Sequence, residues 1–69
     1  MKLSARNILK GKVIKLVRGA VNAEVTIQLQ GGEQVVSIIT NGSVESLELK
    51  EGKEAYAVIK ASSVMIAVD

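Results

Sequence analysis

Sixty-nine residues make one small domain, 1–69, with no room for a second. The absence of Cys and His excludes disulfides, most structural-metal sites and the ordinary nucleophile and acid–base sets of enzymes. The net charge of +2 permits attraction of anions but falls short of a nucleic-acid footprint by itself. A domain of this size buries only about 60% of its unfolded surface and is marginal alone. Yet 48% of the residues are apolar, with no Phe, no Trp and one Tyr. That surplus of Val, Ile, Leu and Ala exceeds what one small core needs, and burial against other copies of the chain is its simplest outlet. A homo-oligomer is therefore expected. Met1-Lys2-Leu3 opens with no long apolar stretch of a signal peptide, and no run approaches the roughly 20 apolar residues of a membrane helix. With the lack of Cys, this fits a cytoplasmic protein without a membrane partner.

In chain order, the first distinctive stretch is Ser4-Ala5-Arg6-Asn7, a hydroxyl, an unobstructed N–H, a guanidinium and an amide together at the entrance to a strand. An anion could be gripped here by hydroxyl and backbone donors, with Arg supplying charge and a forked donor. A strand entrance held by a local side chain-to-backbone hydrogen bond fits the same four residues. Ile8 to Val17 reads as a long strand with Gly11 as a bend or bulge, apolar on parts of both faces. Lys10, Lys12, Lys15 and Arg18 read as solvated strand charges that discourage edge pairing. Arg18-Gly19-Ala20 is the turn. Val21 to Gln30 then alternates, apolar at odd and polar at even positions, over the whole stretch. Gly31-Gly32 supplies the positive φ angles of a tight hairpin, and Glu33 to Ile39 returns as the partner strand.

Thr40 to Leu47 breaks the strand pattern. Thr40 reads as an N-cap and Val44 with Leu47 as an i, i+3 apolar pair, so one to two helical turns are expected to plug an end of a barrel. Leu49-Lys50-Glu51-Gly52 is a turn, Glu54 to Lys60 a fourth strand, Ala61-Ser62-Ser63 a corner, and Val64 to Val68 a short, buried fifth strand. Five strands with a helix between the third and fourth match the order of an all-β, OB-like barrel.

The seven carboxylates are scattered through exposed-looking positions and turns, and none stands beside Ser4 as a base. No enzyme chemistry is therefore expected. Thr40 and Ser43 flank a predicted helix start, where free N–H groups and the helix dipole favour negative charge. Thr40 as a plain cap is an equally physical reading. Lys60 lies at a strand end beside the small residues Ala61 and Ser62, where an ordinary solvated Lys is the alternative.

Taken together, Ser4-Ala5-Arg6-Asn7-x-x-Lys10-Gly11, Thr40-x-x-Ser43 and Lys60-Ala61-Ser62, in a chain of this length, closely resemble the molbindins. These are small molybdate-binding proteins, each equivalent to one copy of the domain found in tandem in molybdate-dependent regulators and transporter subunits. The likeness runs from Ser4 to about Val68. It implies an OB-like fold and an oxyanion held between subunits. By the matched motifs, Ser4 donates its hydroxyl, Arg6 its charge and N–H donors, and Ala5 and Ala61 backbone N–H groups. Lys60 supplies the second charge, Ser62 is a further candidate, and Thr40 and Ser43 reach in from the neighbouring copy. Asn7 fixes the local backbone. Ile8 stands where many relatives carry Gln, at a position not placed on the anion. The resemblance also implies molybdate, with tungstate as an alternative, no metal coordinated directly by protein atoms, and a hexamer built as a trimer of dimers. The expected role is intracellular storage or homeostasis of molybdenum.

Physical chemistry supports a fully ionised tetrahedral dianion. Arg6 and Lys60 match its charge, and every side chain of the set can donate. Monohydrogen phosphate brings an O–H that needs an acceptor, and leaving it unpaired costs roughly 1–3 kcal/mol. Sulfate lacks that handicap, so its exclusion rests on size. The competing reading is a nucleic-acid-binding OB module, for which Tyr56 is the only aromatic platform.

Overall fold

The computed structural model describes all residues, 1–69. Its elements are β1 (Asn7–Arg18), β2 (Asn22–Leu29), β3 (Gln34–Thr40), α1 (Asn41–Ser46) and β4 (Glu54–Ile59), followed by a single 3₁₀ turn, Ala61–Ser63. The four strands form one antiparallel sheet in the order β3-β2-β1-β4. β1 carries the architecture. Its first half, Asn7 to Lys12, pairs with β4, and its second half, Gly11 to Arg18, pairs with β2. Only Gly11 and Lys12 are in both ladders, so the two neighbours diverge from a common point and the sheet curls into a half-barrel.

Gly11 marks that point. It lies opposite Leu29 on one side and Ala55 on the other, in regular register, so it is neither a bend nor a bulge. The reason for glycine is proximity: a Cβ there would lie 2.5 Å from Gln28 O and 2.5 Å from Ile27 Cγ2. The irregularity falls between Val13 and Lys15, where the pairing shifts by one residue and Ile14 is the extra one.

The alternation of β2 is realised as burial of Ala23, Val25 and Ile27. Thr26, on the opposite face, is also buried, in the cross-strand row between Lys15 and Val36. Val13, Val25, Ile27 and Ala57 form the core, flanked by half-buried Leu16, Leu29, Val35, Ile39, Leu49 and Ala55. The β2–β3 turn uses one positive φ rather than two, at Gly32 (96°), with Leu29 and Glu33 closing it through a 2.7 Å backbone bond.

Helix α1 is short and capped at both ends. Thr40 Oγ1 accepts from Ser43 N at 3.0 Å, and Val44 is the one side chain of the helix that is buried. At the far end Lys53 Nζ donates to Leu47 O at 2.8 Å and to Glu48 O at 3.1 Å, placing a cation on the free carbonyls. Two of the β1 charges are ion-paired rather than simply solvated: Lys10 with Glu54 at 3.5 Å and Arg18 with Glu45 at 3.4 Å, both pairs exposed. Each contributes little to stability at the surface.

The expected fifth strand, Val64–Val68, does not form, so the sheet has four strands and the barrel is not closed. Val64 N–H bonds back to Ala61 O at 3.3 Å, and beyond it the segment makes no backbone hydrogen bond. Every residue from Lys60 to Asp69 is exposed, the reverse of the expected burial. The physical reason lies in its composition. A strand apolar on both faces needs cover on both, and one curled sheet offers at most its inner face.

Candidate anion site

The antiparallel pairing of β1 with β4 joins two segments far apart in sequence. Its last register pair is Asn7 with Ile59, and Asn7 Nδ2 donates to Ile59 O at 3.2 Å. Ser4-Ala5-Arg6 and Lys60-Ala61-Ser62 therefore emerge from the same end of the same strand pair. Asn7 is the clasp, acting on the backbone as the motif suggested.

This end of the molecule is rich in donors. Neither Arg6 nor Lys60 forms an ion pair with a carboxylate, and neither side chain makes a hydrogen bond within the chain. The backbone N–H groups of Ala5, Arg6, Ala61 and Ser62 donate to no carbonyl, because β1 and β4 have ended and the 3₁₀ turn begins its bonding at Ser63 N. Ser4 and Ser62 add exposed hydroxyls. The N–H groups of Arg6 and Ser62 are donors that side-chain reading missed; the end of a ladder on both flanking strands is the signal that finds them. Two cations and four free N–H groups make this end receptive to a compact anion.

Thr40 and Ser43 are placed elsewhere. They sit at the start of α1, where β3 ends opposite Asn22 at the start of β2. That is the end of β1 at which Arg18 pairs with Ala23, eleven residues along from Asn7. Thr40 Oγ1 lies 2.9 Å from Ser43 Oγ in addition to its capping bond, so the two hydroxyls form one unit. Asn41, not singled out by sequence, secures this corner: its Nδ2 donates to Gly19 O at 3.0 Å and its N–H to Val21 O at 2.9 Å. One protomer thus brings Ser4, Ala5, Arg6, Lys60, Ala61 and Ser62 to one end, and holds Thr40 and Ser43 at the other. Two open depressions, of about 610 and 600 Å³, lie along Glu48–Lys53 and beside Lys10, Lys12 and Gln28, and include none of these residues.

Thr40 serves the helix whatever else it does. Thr40→Ala is expected to cost about 1 kcal/mol of stability, while Thr40→Ser keeps the cap within a few tenths. Urea unfolding of both variants at matched protomer concentration checks this.

The curled sheet and the donor-rich end define a small all-β, anion-receptive half-barrel. The chain belongs to the TOBE domain family, whose profile matches residues 3–66. It is 52% identical over 69 residues to a probable molybdenum-pterin-binding protein of Haemophilus influenzae, covering all of both chains. It is 53% identical to molybdenum-pterin-binding protein 1 of Clostridium pasteurianum, over 96% of this chain and 97% of that one. Among solved structures it superposes on MopII from Clostridium pasteurianum with a TM-score of 0.92 at 51% identity, over 97% of this chain and 100% of the other. The cytoplasmic molybdate-binding protein ModG, solved with molybdate bound, gives a TM-score of 0.91 at 55% identity, covering 94% of this chain and 46% of that one. These relatives are named for binding rather than for a reaction.

Proposed function

We propose that this chain is a single-domain molybdate-binding protein, accepting tungstate as well, that stores or buffers the oxyanion and performs no reaction. The observation that carries this reading is the end of the β1–β4 pair, from which the segments bearing Arg6, Lys60 and four free N–H groups both emerge, neither cation having a carboxylate partner. The relatives named above support molybdate as the guest. Ser4, Ala5, Arg6, Lys60, Ala61 and Ser62 of one copy form the larger part of the site. Thr40 and Ser43 of a neighbouring copy complete it, since within one protomer they belong to the opposite end of β1.

A site divided in this way requires self-assembly, and a hexamer arranged as a trimer of dimers meets that need. A guest bound only by the assembled form also stabilises it, by about 2.7 kcal/mol at a hundredfold excess over its dissociation constant. A cytoplasmic setting fits the ModG relative, and no helix here is long and apolar enough to cross a membrane.

Calorimetric titration with molybdate, tungstate, sulfate and phosphate tests the reading. Molybdate and tungstate are expected to bind, with sulfate and phosphate far weaker. No molybdate binding, or equal binding of all four, overturns it.

A further inference from the structure

We infer that Asn41 is a site of covalent self-modification, losing its side-chain amide to attack by the backbone nitrogen of Gly42. The acid left behind unlocks the corner that holds Thr40 and Ser43. The chain has three asparagines, Asn7, Asn22 and Asn41, followed by Ile8, Ala23 and Gly42. Only after Asn41 does the attacking nitrogen belong to a residue with no Cβ to obstruct it. Asn7 and Asn22 are also held in strand ladders, opposite Ile59 and Thr40. The Gly42 N–H donates to no carbonyl and to no side chain, so the nucleophile is uncommitted.

The reaction needs only water. The Gly42 nitrogen bonds to Asn41 Cγ and gives up its proton, and Nδ2 departs as ammonia, leaving a five-membered imide. Water adds to either imide carbonyl and opens the ring. The product is aspartate, or its isomer in which the main chain runs through the side-chain carboxyl carbon. One amide and one water thus become one acid and one ammonia, and nothing is oxidised or reduced.

The fold sets the rate. Ring closure brings the Gly42 nitrogen against Cγ, which a helical ψ of about −42° at Asn41 does not permit. Asn41 Nδ2 is also tied to Gly19 O at 3.0 Å, and the Asn41 N–H to Val21 O at 2.9 Å. The reactive form is therefore the one in which α1 has opened. That opening is easy, because α1 has six residues and buries one side chain, Val44.

The product does not fit the corner. A carboxylate in the first turn of a helix is ordinarily favourable. Here it replaces a donor aimed at Gly19 O by a charged acceptor, and the two oxygens repel. Its other oxygen takes the place of Asn41 Oδ1, which is already buried without a donor. A charge without a partner in that position forces the corner open. The isomer adds a carbon to the main chain between Thr40 and Ser43, inside the span of the capping bond. Either way the two hydroxyls are no longer held as a unit. The effect on binding rests on the divided site proposed above; the modification itself does not.

The full chain, kept free of anion at neutral pH, is expected to release ammonia in step with acid formation at residue 41, and not at Asn7 or Asn22, as located by peptide mass mapping. In guanidinium chloride the rate is expected to rise about tenfold or more, the factor gained by freeing two hydrogen bonds. Gly42→Ala has room, the nearest heavy atom being Thr40 Oγ1 at 3.8 Å, and is expected to fold and to release ammonia severalfold more slowly. The acid form, separated by ion exchange, is expected to unfold at a lower urea concentration and to bind molybdate about tenfold more weakly, as is Asn41→Asp. Should Asn41→Asp fail to fold, the separated acid form decides. Acid formed elsewhere than residue 41, no slowing in Gly42→Ala, or an acid form with the parent's urea midpoint and affinity overturns the inference. If the unaged parent does not bind molybdate, the proposed function fails, while ammonia release and the urea midpoint still decide this one.

Discussion

Arg6→Ala is expected to weaken molybdate binding about 10- to 150-fold, and Lys60→Ala to do the same. The range follows from a charged hydrogen bond of roughly 1.5–3 kcal/mol, with 1.4 kcal/mol to each factor of ten. Arg6 should lie toward the upper end, because a guanidinium presents two parallel donors to one oxyanion and an ammonium presents a point charge. Arg6→Lys then separates the two contributions: it retains the charge, loses the fork and falls between the parent and Arg6→Ala. Neither side chain touches another part of the protein through a hydrogen bond or ion pair. Stability of the unliganded protein is therefore expected to stay within about 0.5 kcal/mol in both Ala variants. Calorimetry at fixed salt gives the affinities, and urea unfolding without anion gives the stability. Unchanged affinity in both variants would place the guest elsewhere.

The largest effect on stability is expected at Gly11. A glycine in a strand is ordinarily a weak point, and Gly→Ala at a compatible backbone position stabilises by about 0.4–1 kcal/mol. At Gly11 the sign should reverse. A methyl group there meets a backbone carbonyl and a core methyl, both at 2.5 Å, and neither belongs to the free end of a flexible chain. Gly11→Ala is expected to destabilise by about 1–3 kcal/mol through overpacking, and Gly11→Val by more. Urea midpoints at equal protomer concentration measure this, and a gain in stability for Gly11→Ala would show that β1 and β2 can move apart there at little cost.

What could be read from the chain alone follows the range of the forces involved. β2 was legible because its alternation is a local record of which face meets the core. The Thr40 cap and the Gly52 turn were legible because each is decided within four residues; Gly52 has φ 92°. The role of Gly11 was misread, since close approach to Gln28 and Ile27 is a property of a neighbouring strand. The surplus residue at Ile14 left no trace in an already imperfect alternation. Val64–Val68 is apolar, but the buried fifth strand expected there does not form, because composition does not tell whether the rest of the sheet can cover both faces.

The site divides along the same line. Ser4, Arg6 and Lys60 could be nominated from residue type and motif, while their placement at one end of the sheet depends on a pairing of residues 52 positions apart, Asn7 with Ile59. The free N–H groups at Ala5, Arg6, Ala61 and Ser62 follow from where two ladders stop. Conversely, the separation of Thr40 and Ser43 from that end appears only once the register of β1 is known.

The shift between Val13 and Lys15 has a further consequence. On either side of it the pairing of β1 with β2 is regular: Val13 faces Ile27, Lys15 faces Thr26, and Leu16 faces Val25. Deleting Ile14 would leave every one of those partners in place and the inside–outside order intact. Only the kink would go. The one extra residue thus bends β1 without changing which side chains line the sheet's inner face.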